Sequence, residues 1–354
     1  MSIYIEKIAQ ISIQSPLSDE WMRDPIYPTQ RHCRFICPDF KQFLSPATSR
    51  RMGTLLKCAL TSAFNCVKEE NRTQLDGIFT GSGLGCIENT EKFLTSMLEN
   101  NEQSLSPTNF IQSTHNTIGS QIAIAFQCHG YNITFSHRGL SFDSALMNAL
   151  LKFKLNEIHS ALVNASDEMS DAYFKLFDHT GYWKKSICTT DDFKHAISSG
   201  SFAGENSVSF LLTDKKTEHT LCEIGDIELF HTPSDKELID RTTRFLSSYQ
   251  LTLNDIDTVV LGHNGDVEND EEYNRISNLL VPHARKVIYK HIFGESFTMS
   301  AMGVYVGATC INQQHIPSHL LLQEGSTGHH KPTNILVVNH FKKIDYSITL
   351  LRSC

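Results

Sequence analysis

Apolar residues in this chain fall into short β-branched runs that end in small or polar residues, and between these runs they recur at helical spacing. The clearest strand-like runs of the first part are GIFTGSG (Gly77–Gly83), NITF (Asn132–Phe135), SALVNAS (Ser160–Ser166), SVSFLLTD (Ser207–Asp214) and CEIGDIELF (Cys222–Phe230). Later come DTVVLGH (Asp257–His263), KVIYK (Lys286–Lys290), NILVVNH (Asn334–His340) and YSITLLR (Tyr346–Arg352), the last two close enough to form a hairpin. Helical patterns occupy ATSRRMGTLLKCALTSAFNCV, SPTNFIQSTHNTIGSQIAIAF, SDKELIDRTTRFLSSYQL and EEYNRISNLL. The stretch from Asp171 to Gly200 is polar and weakly periodic and reads as a connecting loop. Alternating strands and helices predict an α/β fold with a largely parallel, helix-covered sheet. The same order of elements occurs twice, which suggests duplicated halves joined near residues 170–205.

One stretch stands out within this pattern. In NITFSHRGLSFDSALMNAL a short strand enters a tight turn, and the turn launches a helix with Ala145, Leu146, Ala149 and Leu150 on one side. Strand, sharp turn and helix can hold a nucleophile at a helix N-terminus, where the dipole and free N–H groups favour an anion. Here the apex is Arg138-Gly139-Leu140, which offers no nucleophile. Four other segments place glycine or polar residues directly after an apolar run, as sites in α/β proteins do: TGSGLG, SGSFAGE, GHNGDVEND and KHIFGES. TGSGLG lacks the GxGxxG of dinucleotide binding and the GK[ST] of a P-loop, so no nucleotide cofactor is expected.

Composition narrows the functional classes. At 354 residues, 40% apolar and 20% charged, the chain has the size of two ordinary domains and a globular balance. Its net charge of −8 argues against non-specific nucleic-acid binding. No run of about 18 uncharged apolar residues is present, and MSIYIEKIAQISI lacks the basic start and cleavage site of a signal peptide, so a cytoplasmic protein without a membrane span is expected. Most of its ten cysteines lie in apolar runs (Cys58, Cys66, Cys222, Cys310) and read as packed, reduced thiols. His32-Cys33 with Cys37 lacks a second Cys/His pair to complete a tetrahedral metal site, and His329-His330 reads as a solvated loop tip. Neither metal nor organic cofactor is expected. The acidic run Asp266, Glu268, Asp270, Glu271 and Glu272 reads as helix-start chemistry.

The order of these segments resembles the condensing enzymes of the β-ketoacyl synthase family, built on the thiolase fold. TGSGLG is similar to that family's early glycine turn, NITFSHRGL to its nucleophile elbow, and SGSFAGE to its G-F-x-x-G-E-G-A segment. VVLGHNGDVEND resembles its H-G-T-x-T-x-x-x-D motif, and YKHIFGESFTMSAMG its K-x-x-x-G-H-x-x-x-A-x-G motif. VVNHFKKIDYS stands where N-S-F-G-F-G-G-T-N is usual. The resemblance implies two thiolase-like halves, residues 1–205 and 206–354, in a layered α-β-α-β-α architecture.

It also exposes departures. The position of the nucleophilic cysteine falls on Gly139, the second histidine is replaced by Glu295, and the closing glycine loop is rewritten. The first histidine and the lysine are retained as His263 and Lys290, a lysine that could equally form a structural ion pair with Glu295. Without a thiolate the covalent acyl step is absent. An ionised Glu295 would set negative charge beside the developing anion that two imidazole donors normally stabilise. The resemblance therefore implies a chain length factor: an inactive homologue that pairs with an active ketosynthase and shapes the tunnel for a chain carried by an acyl carrier protein. The runs Gln112–Thr117 and Lys290–Glu295 are most similar to the ketosynthase-like proteins of aryl polyene and flexirubin pathways. On this reading Gln112, Thr114, Asn116, Phe135 and Phe142 belong to the tunnel or subunit interface. Ser141 and Ser144, beside the apex, read as helix-start residues. One alternative is an independent hydrolase or acyltransferase using Glu295, His263 or Ser141; another is a homodimeric scaffold that binds carrier protein.

Overall fold

Each of the nine apolar runs holds a strand, and most of the elements between them are helices, with the short strands Ala203–Gly204 and Leu321–Gln323 added. The computed structural model describes residues 2–67, 74–186, 193–326 and 331–354; the His329-His330 pair lies outside the described residues. In chain order the strands are β1 (Ile3–Ile11), β2 (His32–Cys33), β3 (Gly77–Gly81), β4 (Tyr131–Phe135), β5 (Ser160–Asp167), β6 (Ala203–Gly204) and β7 (Asn206–Thr213). They continue with β8 (Cys222–His231), β9 (Thr258–Leu261), β10 (Arg285–Ile288), β11 (Leu321–Gln323), β12 (Asn334–Phe341) and β13 (Asp345–Arg352). The first helices are α1 (Pro46–Ser49), α2 (Thr54–Cys66), α3 (Ile87–Glu99), α4 (Pro107–Ser113), α5 (Thr117–Phe126), α6 (Ser141–Lys154) and α7 (Asp171–His179). The second half carries α8 (Asp235–Ser247), α9 (Val267–Leu280), α10 (Lys290–Phe293) and α11 (Ser300–Gln313).

Eleven strands form one sheet in the order β11-β10-β9-β12-β13-β8-β1-β7-β5-β3-β4. Its two halves repeat one pairing scheme. β1 is antiparallel to β7 and β7 to β5, whereas β5, β3 and β4 run parallel. Likewise β8 is antiparallel to β13 and β13 to β12, whereas β12, β9 and β10 run parallel. The sheet is therefore mixed, not largely parallel as the alternation suggested, because each half ends its parallel βαβ run with an antiparallel return. Three residues of β1, Ile3 to Ile5, pair with Ile224 to Cys222 of β8 and join the halves. By pairing, β7 belongs to the first half, so the seam runs between Thr213 and Cys222, beyond the 205/206 division expected from the sequence.

Burial follows the layers. One core lies between the halves, where α6 and α11 present Phe142, Ala145, Leu146, Ala149, Met302, Val306 and Ile311 to both. A second core gathers α2 and α5 on the outer face of the first half. A third gathers α8 and α9 on the outer face of the second. Helix pair, sheet, helix pair, sheet, helix pair is the α-β-α-β-α layering.

Three features depart from the sequence expectation. β1 is a strand although its apolar period is irregular, because a register shift between Ile5 and Lys7 breaks the alternation. The helical pattern from Ser106 to Phe126 is broken at Thr114, which is extended; the hydroxyl of Thr117 takes up the carbonyl of Ile111 at 2.8 Å. The region read as a connecting loop contains α7. Ser170 caps that helix by accepting from the Tyr173 amide, and Phe174 stacks between His32 (4.6 Å) and Trp183 (5.6 Å).

Asp143, buried near the start of α6, ties the central layer together. Its carboxylate accepts from Ser300 of α11 at 2.7 Å and from Ser347 of β13 at 2.5 Å. Burial raises its pKa, and the two serines act against that rise. Asp143→Ala leaves two buried hydroxyls without an acceptor, and we expect it to cost about 2–4 kcal/mol. The loss is read as a lower urea midpoint with an unchanged slope. Asp143→Asn, which keeps one acceptor oxygen, should lose less, and an unchanged midpoint in Asp143→Ala would remove this residue from the role.

Candidate functional site

The elbow has its expected shape. β4 ends at Phe135, Arg138 takes a left-handed conformation (φ 48°), and a 3-10 turn over Arg138–Leu140 delivers the chain into α6. Ser141 closes this turn: its hydroxyl donates to the Arg138 carbonyl at 2.7 Å and accepts from the His137 amide at 2.9 Å. Ser144 faces the His137 ring at 3.3 Å. Both hydroxyls are engaged in building the elbow. At the apex Gly139 is buried, and its carbonyl accepts from the Asn339 side chain of β12 at 3.1 Å. A Cβ at residue 139 would lie 2.6 Å from Cβ, Cγ and Cδ2 of Phe341. The space above the apex is occupied by an aromatic ring.

What remains of a site is a cavity of about 30 Å³, room for one or two waters, bounded by Gly139, Asn264, Tyr273, Lys290, Glu295, His340 and Phe341. Lys290 begins α10 directly after β10, and the left-handed Gly294 (φ 82°) turns the chain so that Glu295 faces it. The Lys290 ammonium donates to both Glu295 oxygens, at 2.8 and 3.0 Å, with both residues buried. The Asn264 side chain donates to the same carboxylate at 2.7 Å. Burial alone would lower the Lys290 pKa, but the adjacent Glu295 charge outweighs it and the pKa rises. This pair takes the structural form weighed from the sequence, and the Glu295 carboxylate is held by one ammonium and one side-chain amide.

His263, the retained first histidine of the motif, does not line the cavity. Asn264, in the segment that follows β9, lines it instead. The His263 ring lies behind Tyr273, 5.8 Å between centroids, and 3.8 Å from Asp270, with no well-aligned hydrogen bond to either ring nitrogen. Burial, reinforced by nearby His340, depresses its pKa to about 3. The imidazole on the cavity wall is His340, whose Nε2 meets the Asn269 carbonyl at 3.0 Å and whose pKa burial lowers to about 4. Both rings are neutral at pH 7. The acidic run is helix-start chemistry as expected: Asp266 caps α9, and Asp270 accepts from the Asn264 and Gly265 amides.

The other residues singled out from the sequence separate into several environments. Gln112 links Asn89 to the Arg51 carbonyl, Thr114 meets Thr117, and Asn116 is exposed at the start of α5. Phe135 is half-buried on β4. Phe142 is fully buried and packs on Phe210 at 5.5 Å within the central core. Asp167, at the end of β5, escaped the sequence reading; the TGSGLG turn wraps it, with Ser82, Gly83 and Leu84 donating at 2.9–3.1 Å. Burial lifts Asp167 to about 6. Its signal was the acidic residue ending the strand beside a glycine turn, since exposed amides there call for an anion.

The depressed imidazoles predict acid sensitivity. In the unfolded chain both histidines bind protons below about pH 6.5, whereas in the fold they stay neutral down to about 3–4, so stability falls as pH drops through this window. His263→Phe should remove about 2–3 kcal/mol of that loss by pH 4. Thermal midpoints measured from pH 7 to 4 should fall less steeply in the variant; parallel curves would overturn the assignment.

Comparison with known proteins agrees with this construction. Residues 20–216 match the family model described as beta-ketoacyl synthase, N-terminal domain. No curated protein matches by sequence. Among solved structures, the ishigamide ketosynthase/chain length factor aligns over 100% of this chain and 99% of its own at 13% identity, with a TM-score of 0.80. A beta-ketoacyl synthase from Burkholderia phymatum STM815 gives the same identity, coverage and TM-score. The ketosynthase (ApeO) in complex with its chain length factor (ApeC) from Xenorhabdus doucetiae aligns over 100% and 98% of the two chains at 13% identity, TM-score 0.75. With the duplicated sheet, the elbow and the family match in place, this chain belongs to the β-ketoacyl synthase family and has its thiolase-like fold.

Proposed function

We propose that this chain is a non-catalytic, chain-length-factor-type subunit: it pairs with an active β-ketoacyl–carrier-protein synthase and contributes one wall of the tunnel in which a polyketide or polyene chain is elongated. The observation that carries this reading is the apex of the elbow, where Gly139 has no side chain and Phe341 fills the space above it. A Claisen condensation through an acyl-enzyme needs a thiolate there and donors aimed at the developing oxyanion. This chain presents a buried lysine–glutamate pair instead. The solved structures named above, which include ketosynthases complexed with chain length factors, support the same role. So does a fold kept intact around the lost nucleophile.

The surface has a place for a partner. β4 is the last strand of the sheet and pairs on one side only, with β3. Flanking helices expose Phe110 and Ile111 on α4, Ile124 on α5, and Met147 and Leu151 on α6. An open strand edge bordered by apolar residues suits strand-to-strand association with a second thiolase-fold subunit. The alternative of a rewired hydrolase or acyltransferase lacks a converging set of groups. Ser141 is bound into the turn, His263 lies behind Tyr273, and Glu295 is paired with Lys290.

Two measurements test the proposal. Purified alone, the chain should neither decarboxylate malonyl–carrier protein nor form a new C–C bond; co-expressed with a ketosynthase carrying an intact Cys-His-His set, it should co-elute at about 1:1 and the pair should elongate. Malonyl turnover by the lone chain would contradict the assignment. Ile124→Asp/Leu151→Asp should leave its thermal midpoint within a few degrees yet weaken association at least about tenfold by light scattering or calorimetry. Undiminished binding would move the interface elsewhere.

A further inference from the structure

The seat above the elbow is filled by an arrangement that spans four segments. The Phe341 ring packs on Phe297, 5.7 Å between centroids. Each ring is seated on a glycine: a Cβ at Gly83, in the TGSGLG turn, would lie 2.3 Å from the Phe297 Cβ, and one at Gly139 would lie 2.6 Å from Phe341. Behind Phe341 the β12–β13 hairpin turns through Lys342 (φ 54°) and Lys343 (φ 57°). The connection is three residues long, Lys342 to Ile344, and two lysines in succession at left-handed positions store strain, about 1 kcal/mol or more per residue. The tight turn delivers Phe341 to the elbow, and Asn339 on the same strand donates to the Gly139 carbonyl at 3.1 Å.

We infer that Phe341, backed by Phe297, is a built-in plug that holds the nucleophile position closed, so that a sulfur restored at residue 139 would find its space taken. This deepens the non-catalytic reading and rests on it. Inactivity is then encoded twice, once by the missing side chain and once by the ring that stands where it would be. The contact reaches the Phe341 Cβ itself. Shortening Phe341 to alanine therefore leaves the collision in place, and only glycine relieves it.

Three variants test the plug with a readout that needs neither a partner subunit nor malonyl: Gly139→Cys, Gly139→Cys/Phe341→Ala and Gly139→Cys/Phe341→Gly. Each is treated with iodoacetamide, in which the thiolate forms an S–C bond, iodide leaves and the thiol proton passes to water. Labelling is counted on the tryptic peptide that follows Arg138, which separates residue 139 from the native cysteines. The single variant should show a lowered thermal midpoint and slow labelling. Gly139→Cys/Phe341→Gly should recover part of the midpoint and label at least about tenfold faster, with the alanine variant nearer the single. Failure of the single variant to fold, with folding restored by Phe341→Gly, supports the plug equally. A single variant with the wild-type midpoint that labels as fast as the glycine double overturns it, as does a glycine double that fails to fold or stays unlabelled. If the plug fails in this way while the lone chain still shows no condensation, the non-catalytic reading stands without it.

Discussion

Two half-sheets of this molecule bury one face each against the same pair of helices, and that shared layer constrains everything around it. α11 is buried from Ser300 to Ile311 and α6 from Ser141 to Leu146, so neither can shift there without opening voids in both halves. The elbow is the start of α6 and inherits its rigidity from that packing. Its turn is further closed by Ser141 and tied to the other half by Asn339 and Asp143. Close packing requires the elbow's backbone whether or not a reactive atom stands on it. A glycine at the apex therefore leaves the fold intact, and a neighbouring aromatic ring holds the space above it.

The charges of the region have been absorbed in a similar way. A buried lysine with no partner would carry a large desolvation cost, and Glu295 removes it by direct pairing. Backbone amides at two strand ends are likewise satisfied internally: Asp167 fills the first glycine turn, and Asp270 fills the turn after β9. Places that could receive an external anion are occupied by the chain's own carboxylates. Burial with sparse charge compensation lifts both acids towards neutrality, to about 6 and about 7, with the amide donors opposing the rise.

Much of this was legible in the sequence, and the illegible parts share a cause. Strands such as SALVNAS and NILVVNH declare themselves because central strands buried on both faces need continuous apolar, β-branched residues. The Lys290–Glu295 pair was readable because both partners lie in one short turn. Which way His263 faces was not legible, because a motif fixes a residue's position along the chain but not its orientation in the irregular segment after β9, where Asn264 is the residue on the cavity. α7 was hidden because Phe174 spends its apolar surface on His32 and Trp183, Phe177 on Trp183, and Tyr173 on Phe177. The role of Phe341 could not be read locally at all. It depends on a contact with Gly139, 202 positions earlier in the chain, that exists only once the two halves are packed.

The join between β1 and β8 has a consequence for assembly. Because it merges both halves into one ladder, the eleven-stranded sheet has two ends among the described residues. One is the three-residue β11, too short and irregularly registered to template another strand; the other is β4. If a partner takes the β4 edge, as proposed, β11 offers no second template for edge-to-edge addition along the sheet.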